Sequence, residues 1–158
     1  MTLELNNSNY ESILRAFIYS ISSVISNPDC DLDKPLKDSE WSLRQHIYHL
    51  LDTPKDGLYT VINQAIENSS TTLSIVPDLD NLNVDRNNFT VSAILDDLNK
   101  FQAGFLKVLK KLNDVQLDTL IIETSFPLRG IKENRSVRLL LDRLFVRHWS
   151  EHIYDMTK

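Results

Sequence analysis

Hydrophobic residues recur at helical spacing in four long segments of this chain. Capping and breaking residues bound these segments, which predict helices over about 8–25, 42–65, 90–112 and 136–156. Ser8 with Glu11, and Ser42 with Gln45, each form a predicted capping box. Pro54 interrupts the second segment, so we expect a kink or a short break after Asp52. The pattern therefore predicts an all-α protein, a four-helix bundle with one long connection.

The connections between the predicted helices are irregular, with short strand-like pieces. Residues 69–89 have no helical period, although 71–76 could form a short strand. Residues 120–122 are a second candidate strand, and Pro127 with Gly130 marks a turn after it. These pieces are additions to the bundle and do not change the predicted fold class.

Composition narrows the class of protein further. The length of 158 residues predicts a single domain over 1–158, and only three glycines favour helices over a sandwich or a barrel. A net charge of −5 argues against a nucleic-acid partner. The sequence shows neither a basic and apolar leader nor a run of 18 apolar residues, which predicts a cytoplasmic protein without a membrane partner. Cys30 is the single cysteine, which excludes a zinc site built on several thiolates.

All four histidines fall in two clusters, His46 with His49 and His148 with His152. The second pair is four residues apart, so both imidazoles project from one face of a helix. On a helical wheel that face points into the bundle, where an imidazole without a partner would be costly. The pair therefore needs either a metal ion or satisfied hydrogen bonds. Two such nitrogens can bind one metal if a third ligand comes from elsewhere in the fold.

The periodicity leaves the third ligand open between His46 and His49. His49 lies off the apolar stripe of its helix, toward the polar side, which is typical of a surface histidine. His46 lies nearer the stripe, but a hydrophobic staple with Trp41 explains that position without a metal.

Two motifs carry a resemblance to a known family. Residues 41–52 are similar to the second-helix signature of the DinB/YfiT-like superfamily, which has a tryptophan, a small hydroxyl residue and a histidine eight positions after the tryptophan. The pair His148 and His152 resembles the fourth-helix pair of the same family. Counting eight positions from Trp41 selects His49, so the resemblance implies a metal site formed by His49, His148 and His152.

The resemblance also implies a function. Its members are four-helix bundles, commonly homodimers, that bind a divalent metal such as zinc or nickel. The implied activity is a metal-dependent hydrolase or a thiol-dependent S-transferase, acting on a small-molecule substrate with a low-molecular-weight thiol as a partner in the second case. The alternative is a non-catalytic, dimeric binding protein that keeps the scaffold.

Three neutral nitrogen ligands suit either chemistry. They leave the metal its full charge and an open position, where a bound water can reach a pKa near ~7 or a thiolate can bind. Candidate hydrogen-bond partners of the ligands, each equally explained as a surface carboxylate, are Asp52, Asp96, Asp97 and Glu151. Candidate steering groups for an anionic substrate, otherwise a solvated basic turn, are Arg129, Lys132, Arg135 and Arg138.

Overall fold

The computed structural model of this chain describes residues 4–68 and 70–158. Its α-helical segments are α1 (Asn7–Ile25), α2 (Leu43–Leu51), α3 (Leu58–Glu67), α4 (Val84–Asn88), α5 (Val91–Lys111), α6 (Asp114–Thr119), α7 (Val137–Leu140) and α8 (Trp149–Thr157). A π-helical segment, Leu141–His148, joins α7 to α8 in one continuous helix. None of the described helices is both long and apolar enough to span a membrane.

The predicted four-helix bundle is confirmed. Helix α1 packs against α5 and α8, α3 packs against α5, and α2 packs against α8. The four bundle elements are therefore α1, the broken pair α2 and α3, α5, and the C-terminal helix. An aromatic column fills the core between them, consisting of Phe17, Phe101, Phe105, Phe145 and Trp149. Burial of these rings is a main source of the free energy that stabilises the fold.

Most predicted helix ends agree with the structure. Ser42 and Gln45 form the predicted capping box, and α2 ends at Leu51, so the break after Asp52 is confirmed. The first capping box is wrong, because Asn6 and Asn9 form it instead. Asparagine is as good an N-cap as serine, and the polar residues ahead of Ser8 let the helix begin earlier.

A small sheet lies beside the bundle. Strand β1 (Thr72–Ser74) pairs in parallel with β2 (Ile121–Phe126), which pairs antiparallel with β3 (Ile131–Ser136). Strands β1 and β2 overlap the candidate strands of the sequence, and the predicted turn between β2 and β3 ends at Gly130 with a φ of 64°. Ser69, the first residue of the predicted long connection, lies outside the described residues.

Three elements outside the four predicted helices were missed by the sequence prediction. Strand β3 is a polar edge strand with four consecutive exposed residues, so it lacks the alternating pattern of a half-buried strand. Helix α4 is only five residues long and buries no side chain. Helix α6 follows Asn113, which does end the third predicted helix but also caps a new one through Gln116.

Two glycines lie against the ring of Tyr59. A Cβ atom added at Gly104 would lie 2.6 Å from Tyr59 Cε2, and one added at Gly57 would lie 2.7 Å from Cε1. The ring also contacts Phe101 and Phe105, with centroid distances of 5.3 and 5.8 Å. The missing side chain at Gly104 therefore lets α5 pack against the Tyr59 ring of α3, and Gly57 leaves room for the same ring at the start of α3.

Replacing Gly104 with alanine tests this approach, because two effects have opposite signs. Helix propensity alone would stabilise α5 by about 1 kcal/mol. Overpacking against the Tyr59 ring costs about 1–3 kcal/mol, so we expect Gly104→Ala to lower the free energy of unfolding in urea. Adding Tyr59→Leu should remove the clash and recover the propensity gain. A Gly104→Ala protein more stable than the parent would contradict this packing.

Candidate metal centre

Three histidines from two elements meet at the contact between α2 and the C-terminal helix. His49 belongs to α2, His148 ends the π-helical segment and His152 lies in α8. Nε2 of His148 is 2.9 Å from Nε2 of His49 and 3.1 Å from Nε2 of His152. One ligand atom from each ring lies within 4.8 Å of the other two, so the group can hold a metal ion. The structure therefore brings together the three residues that the sequence selected.

The spacing of these nitrogens fits a single ion. Zinc binds histidine nitrogen at about 2.0–2.1 Å, which places two ligand nitrogens of a tetrahedral site about 3.3 Å apart. The two Nε2 distances in the structure are slightly shorter, so a small rotation of the rings admits the ion. Larger octahedral ions would need a similar opening. The donor set therefore fits a divalent metal in size and in chemistry.

His49 is buried, with 3% of its surface exposed, and this corrects the expectation from periodicity that it is a surface histidine. The connection after β1 covers that side of α2. Arg44 holds the far end of this connection, since its guanidinium donates to the carbonyl oxygens of Arg86 and Phe89. The helical wheel could not show a cover that comes from residues far along the chain.

The tautomer of His49 is set by the backbone. Its Nδ1 lies 2.6 Å from the carbonyl oxygen of Leu79, which can only accept a hydrogen bond. Nδ1 therefore carries the proton in the neutral ring, and Nε2 is left with a free lone pair. That lone pair is on the side of the ring that faces His148.

His152 is oriented by the fourth histidine. Its Nδ1 lies 2.7 Å from Nδ1 of His46, and Nε2 of His46 lies 3.0 Å from the Ser39 hydroxyl oxygen. When His152 donates to His46 and His46 donates to Ser39, each hydrogen bond has one proton, and Nε2 of His152 is free to bind a metal. The predicted staple with Trp41 is also present, with ring centroids 5.7 Å apart. His46 therefore has a second contact that the sequence interpretation missed.

Replacing His46 with alanine tests its positioning effect on His152. Loss of such a partner typically lowers metal affinity by about 10–100-fold, so we expect weaker binding at unchanged stoichiometry. Competition against a chelator measures the affinity. Trp41→Phe is the comparison variant, because it changes the ring contact with His46 but keeps both an aromatic wall at the cluster and the hydrogen bond between His46 and His152. A loss as large as that of His152→Ala would contradict a positioning role.

His148 differs from the other two histidines. Its Nδ1 atom is buried and has no hydrogen-bond partner among the described residues. Its Nε2 atom faces the Nε2 atoms of both other rings. Three imidazoles that point the same nitrogen at one place, two of them with that nitrogen unprotonated, form a set of lone pairs that a cation would satisfy.

Burial keeps the cluster neutral. Desolvation lowers the pKa of His148 to about 4, with a further contribution from the nearby His49. Desolvation and the other three histidines lower the pKa of His152 to about 3. Burial also lowers the pKa values of His49 and His46. The rings are therefore neutral at pH 7, and each has one nitrogen with a lone pair that can bind a metal.

Trp41 forms one wall of the cluster. Its ring stacks on His152 with a centroid distance of 6.1 Å and meets His49 edge-on at 4.9 Å. The indole is half-buried, so it shields this side of the ligand nitrogens from water. Its fluorescence can also report on changes at the cluster.

The carboxylates proposed as partners of the histidines bind other side chains or face solvent. Asp52 binds Arg86 with an oxygen–nitrogen distance of 2.6 Å, and Asp97 accepts from the Tyr48 hydroxyl at 2.8 Å. Glu151 pairs with Arg147, and Asp96 is exposed. The hydrogen-bond partners of the ligands are instead the Leu79 carbonyl oxygen for His49 and the His46 ring for His152. Neither partner can be recognised from residue types along the sequence.

The basic residues before the fourth helix do not contact the cluster. Arg138 binds Asp118 at 2.6 Å, Arg135 binds Glu133 at 3.0 Å, and Lys132 is 3.7 Å from Glu123. Arg129 lies near the Phe126 ring. These side chains belong to the hairpin and its neighbours, so the structure gives no support for steering of an anionic substrate by them.

No family model and no curated protein matches the sequence. Among solved structures, YfiT from Bacillus subtilis superposes with a TM-score of 0.70 over 96% of this chain and 83% of that chain, at 20% identity. The chain has the fold of YfiT. YfiT is described as a probable metal-dependent hydrolase with an unusual four-helix bundle topology. The DinB/YfiT-like resemblance of the sequence is therefore confirmed at the level of fold.

A second solved structure has the same architecture. An uncharacterized protein from Clostridium difficile 630 superposes with a TM-score of 0.61 over 98% of this chain and 95% of that chain, at 10% identity. Both identities are low, so these superpositions establish the YfiT-like fold and do not establish an activity.

Proposed function

We propose that this protein binds one divalent metal ion through His49, His148 and His152 and uses it to hydrolyse a small-molecule substrate. Zinc and nickel are the metals that we expect. The proposal rests on the convergence of three neutral imidazoles. The Nε2 atoms of His49 and His152 lie 2.9 and 3.1 Å from Nε2 of His148. The description of YfiT as a probable metal-dependent hydrolase supports the same reaction class.

Each part of the cluster has a task in this proposal. The Leu79 carbonyl and His46 hold the Nδ1 protons of His49 and His152, which keeps both Nε2 atoms available. Trp41 excludes water from one side of the ligands. When bound, a divalent ion supplies Lewis acidity that activates water toward an ester or amide carbonyl. Three protein ligands leave part of the coordination sphere free for this purpose.

Elemental analysis of protein purified without a metal-affinity tag tests the proposed site. We expect one zinc or nickel ion per chain, removable by a chelator and restored by adding the metal. The reloaded and metal-free proteins should then be compared on a panel of ester, amide and lactone substrates. Hydrolysis that follows the metal content supports the proposal, whereas a chain that never retains metal contradicts it.

The same assays distinguish two other functions predicted from the sequence. A thiol-dependent S-transferase would consume an electrophile only when a low-molecular-weight thiol is added to the metal-loaded protein. A non-catalytic binding protein would hold the metal and show no turnover in either assay. The predicted homodimer and cytoplasmic location stay predictions, and the molar mass in solution tests the first of them.

A further inference from the structure

A cavity of 490 Å³ lies behind the histidine cluster, between the end of α2 and the connection after β1. Two of its lining residues also contact His49 at Nδ1, the Leu79 carbonyl oxygen at 2.6 Å and the Thr53 hydroxyl at 3.4 Å. Cavities that bind small organic ligands have volumes of about 300–1,000 Å³. This cavity is therefore large enough for a ligand, and two of its lining residues contact the His49 ring on the edge opposite Nε2.

The cavity has apolar walls and a lining with a net positive charge. The apolar walls are formed by Pro54, Val76, Leu79 and Leu82. The charged groups along it are Lys55, Arg86 and Asp52, and Arg86 already neutralises Asp52 at 2.6 Å. Such a lining suits a molecule with one apolar part and one anionic group.

Arg86 has donors left for such a group. Its Nη1 donates to Asp52 Oδ2 at 2.6 Å and to the Asn81 carbonyl oxygen at 2.7 Å, and its guanidinium lies 4.6 Å from the Tyr48 ring centre. Nε and Nη2 have no hydrogen-bond partner among the described residues. Because guanidinium is planar, the N–H groups of this edge are parallel and match the two oxygens of a carboxylate.

The loop that forms one wall is held in an uncommon conformation. Asp78 and Asn81 have φ values of 61° and 57°, in the left-handed region, and they lie on either side of Leu79. The Asn81 side chain donates to the Tyr48 carbonyl oxygen at 3.2 Å, which ties the loop to α2. Aspartate and asparagine tolerate this conformation, so the two residues and the Asn81 hydrogen bond fix the shape of the wall.

We propose that this cavity binds a small amphipathic monocarboxylate, with the carboxylate on Arg86 and Lys55 and the apolar chain against Val76 and Leu82. The site is distinct from the metal centre and stands whether or not a metal binds. Leu79 borders both, since it lines the cavity and its carbonyl oxygen accepts a hydrogen bond from His49 Nδ1.

NMR titration of the isotope-labelled, metal-free protein with hexanoate tests this proposal. A chelator and the His148→Ala variant exclude binding of the carboxylate to a metal ion. We expect saturable shifts at Thr53, Val76 and Leu79. Hexylamine and hexanol are the matched probes, because they keep the chain and change only the head group. Equal binding of hexylamine, or shifts that avoid these residues, would overturn the proposal.

Two substitutions localise the binding. Val76→Trp fills the cavity and should abolish hexanoate binding, whereas Val84→Trp, at a position that is 77% exposed, should leave it unchanged. Lys55→Gln should weaken hexanoate by about threefold, the effect of an exposed charge. Because Arg86 also holds the loop, it is not the primary test. Retained hexanoate affinity in Val76→Trp would place the ligand elsewhere and contradict the assignment.

Discussion

Replacing His148 with alanine is expected to lower metal affinity by at least about a hundredfold and to leave purified protein almost free of metal. The physical reason is that two nitrogens cannot hold the ion as three do. His148 is also the best of the three to replace, because its Nδ1 has no hydrogen-bond partner among the described residues. Its removal therefore tests metal binding with little disturbance of other contacts. Elemental analysis and a chelator competition give the result.

The matched control for this variant is Glu151→Gln. Glu151 lies in the same helix, next to His152, and its exposed side chain pairs with Arg147. Metal content should be unchanged in this control, and both proteins should unfold in the same range of denaturant. Full metal content in the His148→Ala protein would rule out the proposed ligand set. Unfolding of both variants would instead indicate that the helix itself is fragile.

Replacing Phe105 with alanine should lower the free energy of unfolding by about 3–5 kcal/mol. Phe105 is fully buried and stacks on Phe145 with a centroid distance of 4.9 Å, while Phe101 lies 5.6 Å away. Removing the ring takes away its burial and leaves a cavity that stiff aromatic neighbours cannot close. Domains of this size have about 5–15 kcal/mol of stability, so this single change removes a large part. Denaturant unfolding monitored by circular dichroism measures it.

Tyr19→Ala is the control for the Phe105 variant. Tyr19 is 75% exposed, so its truncation should change the free energy of unfolding by no more than about 0.5 kcal/mol. The aromatic contacts of Phe105 are with Tyr59, Phe101 and Phe145, and not with the histidines. We therefore expect folded Phe105→Ala protein to keep its metal. A loss below 1 kcal/mol would mean that the column repacks around the missing ring.

Local signals in the sequence predicted the bundle well. Ser42, Thr90 and Ser136 each accept from a backbone N–H two or three residues into a helix, an interaction within one turn that needs no knowledge of the fold. The pairing of His148 with His152 is local for the same reason. The π-helical segment that carries His148 was not predicted, because hydrophobic periodicity does not separate an α-helix from a short π-helical stretch.

The site needed information that is not local. Only the family resemblance selects His49 as the third metal ligand. The loop around Leu79, which covers His49, lies thirty positions away in the sequence. His46 was interpreted as a staple, and its bond to His152 joins positions 106 residues apart. Contacts of this kind depend on how helices pack, and a helical wheel drawn for one segment contains no such information.

The hydrogen bond that His49 donates to residue 79 involves only a main-chain atom of that residue, its carbonyl oxygen. Amino-acid exchange at position 79 therefore leaves the acceptor in place, and a scan of single exchanges there would find a tolerant position. Shortening or lengthening the loop would move the carbonyl away from the imidazole. We therefore expect that, among proteins with this fold, the length of the loop between β1 and α4 varies less than the amino acids in that loop.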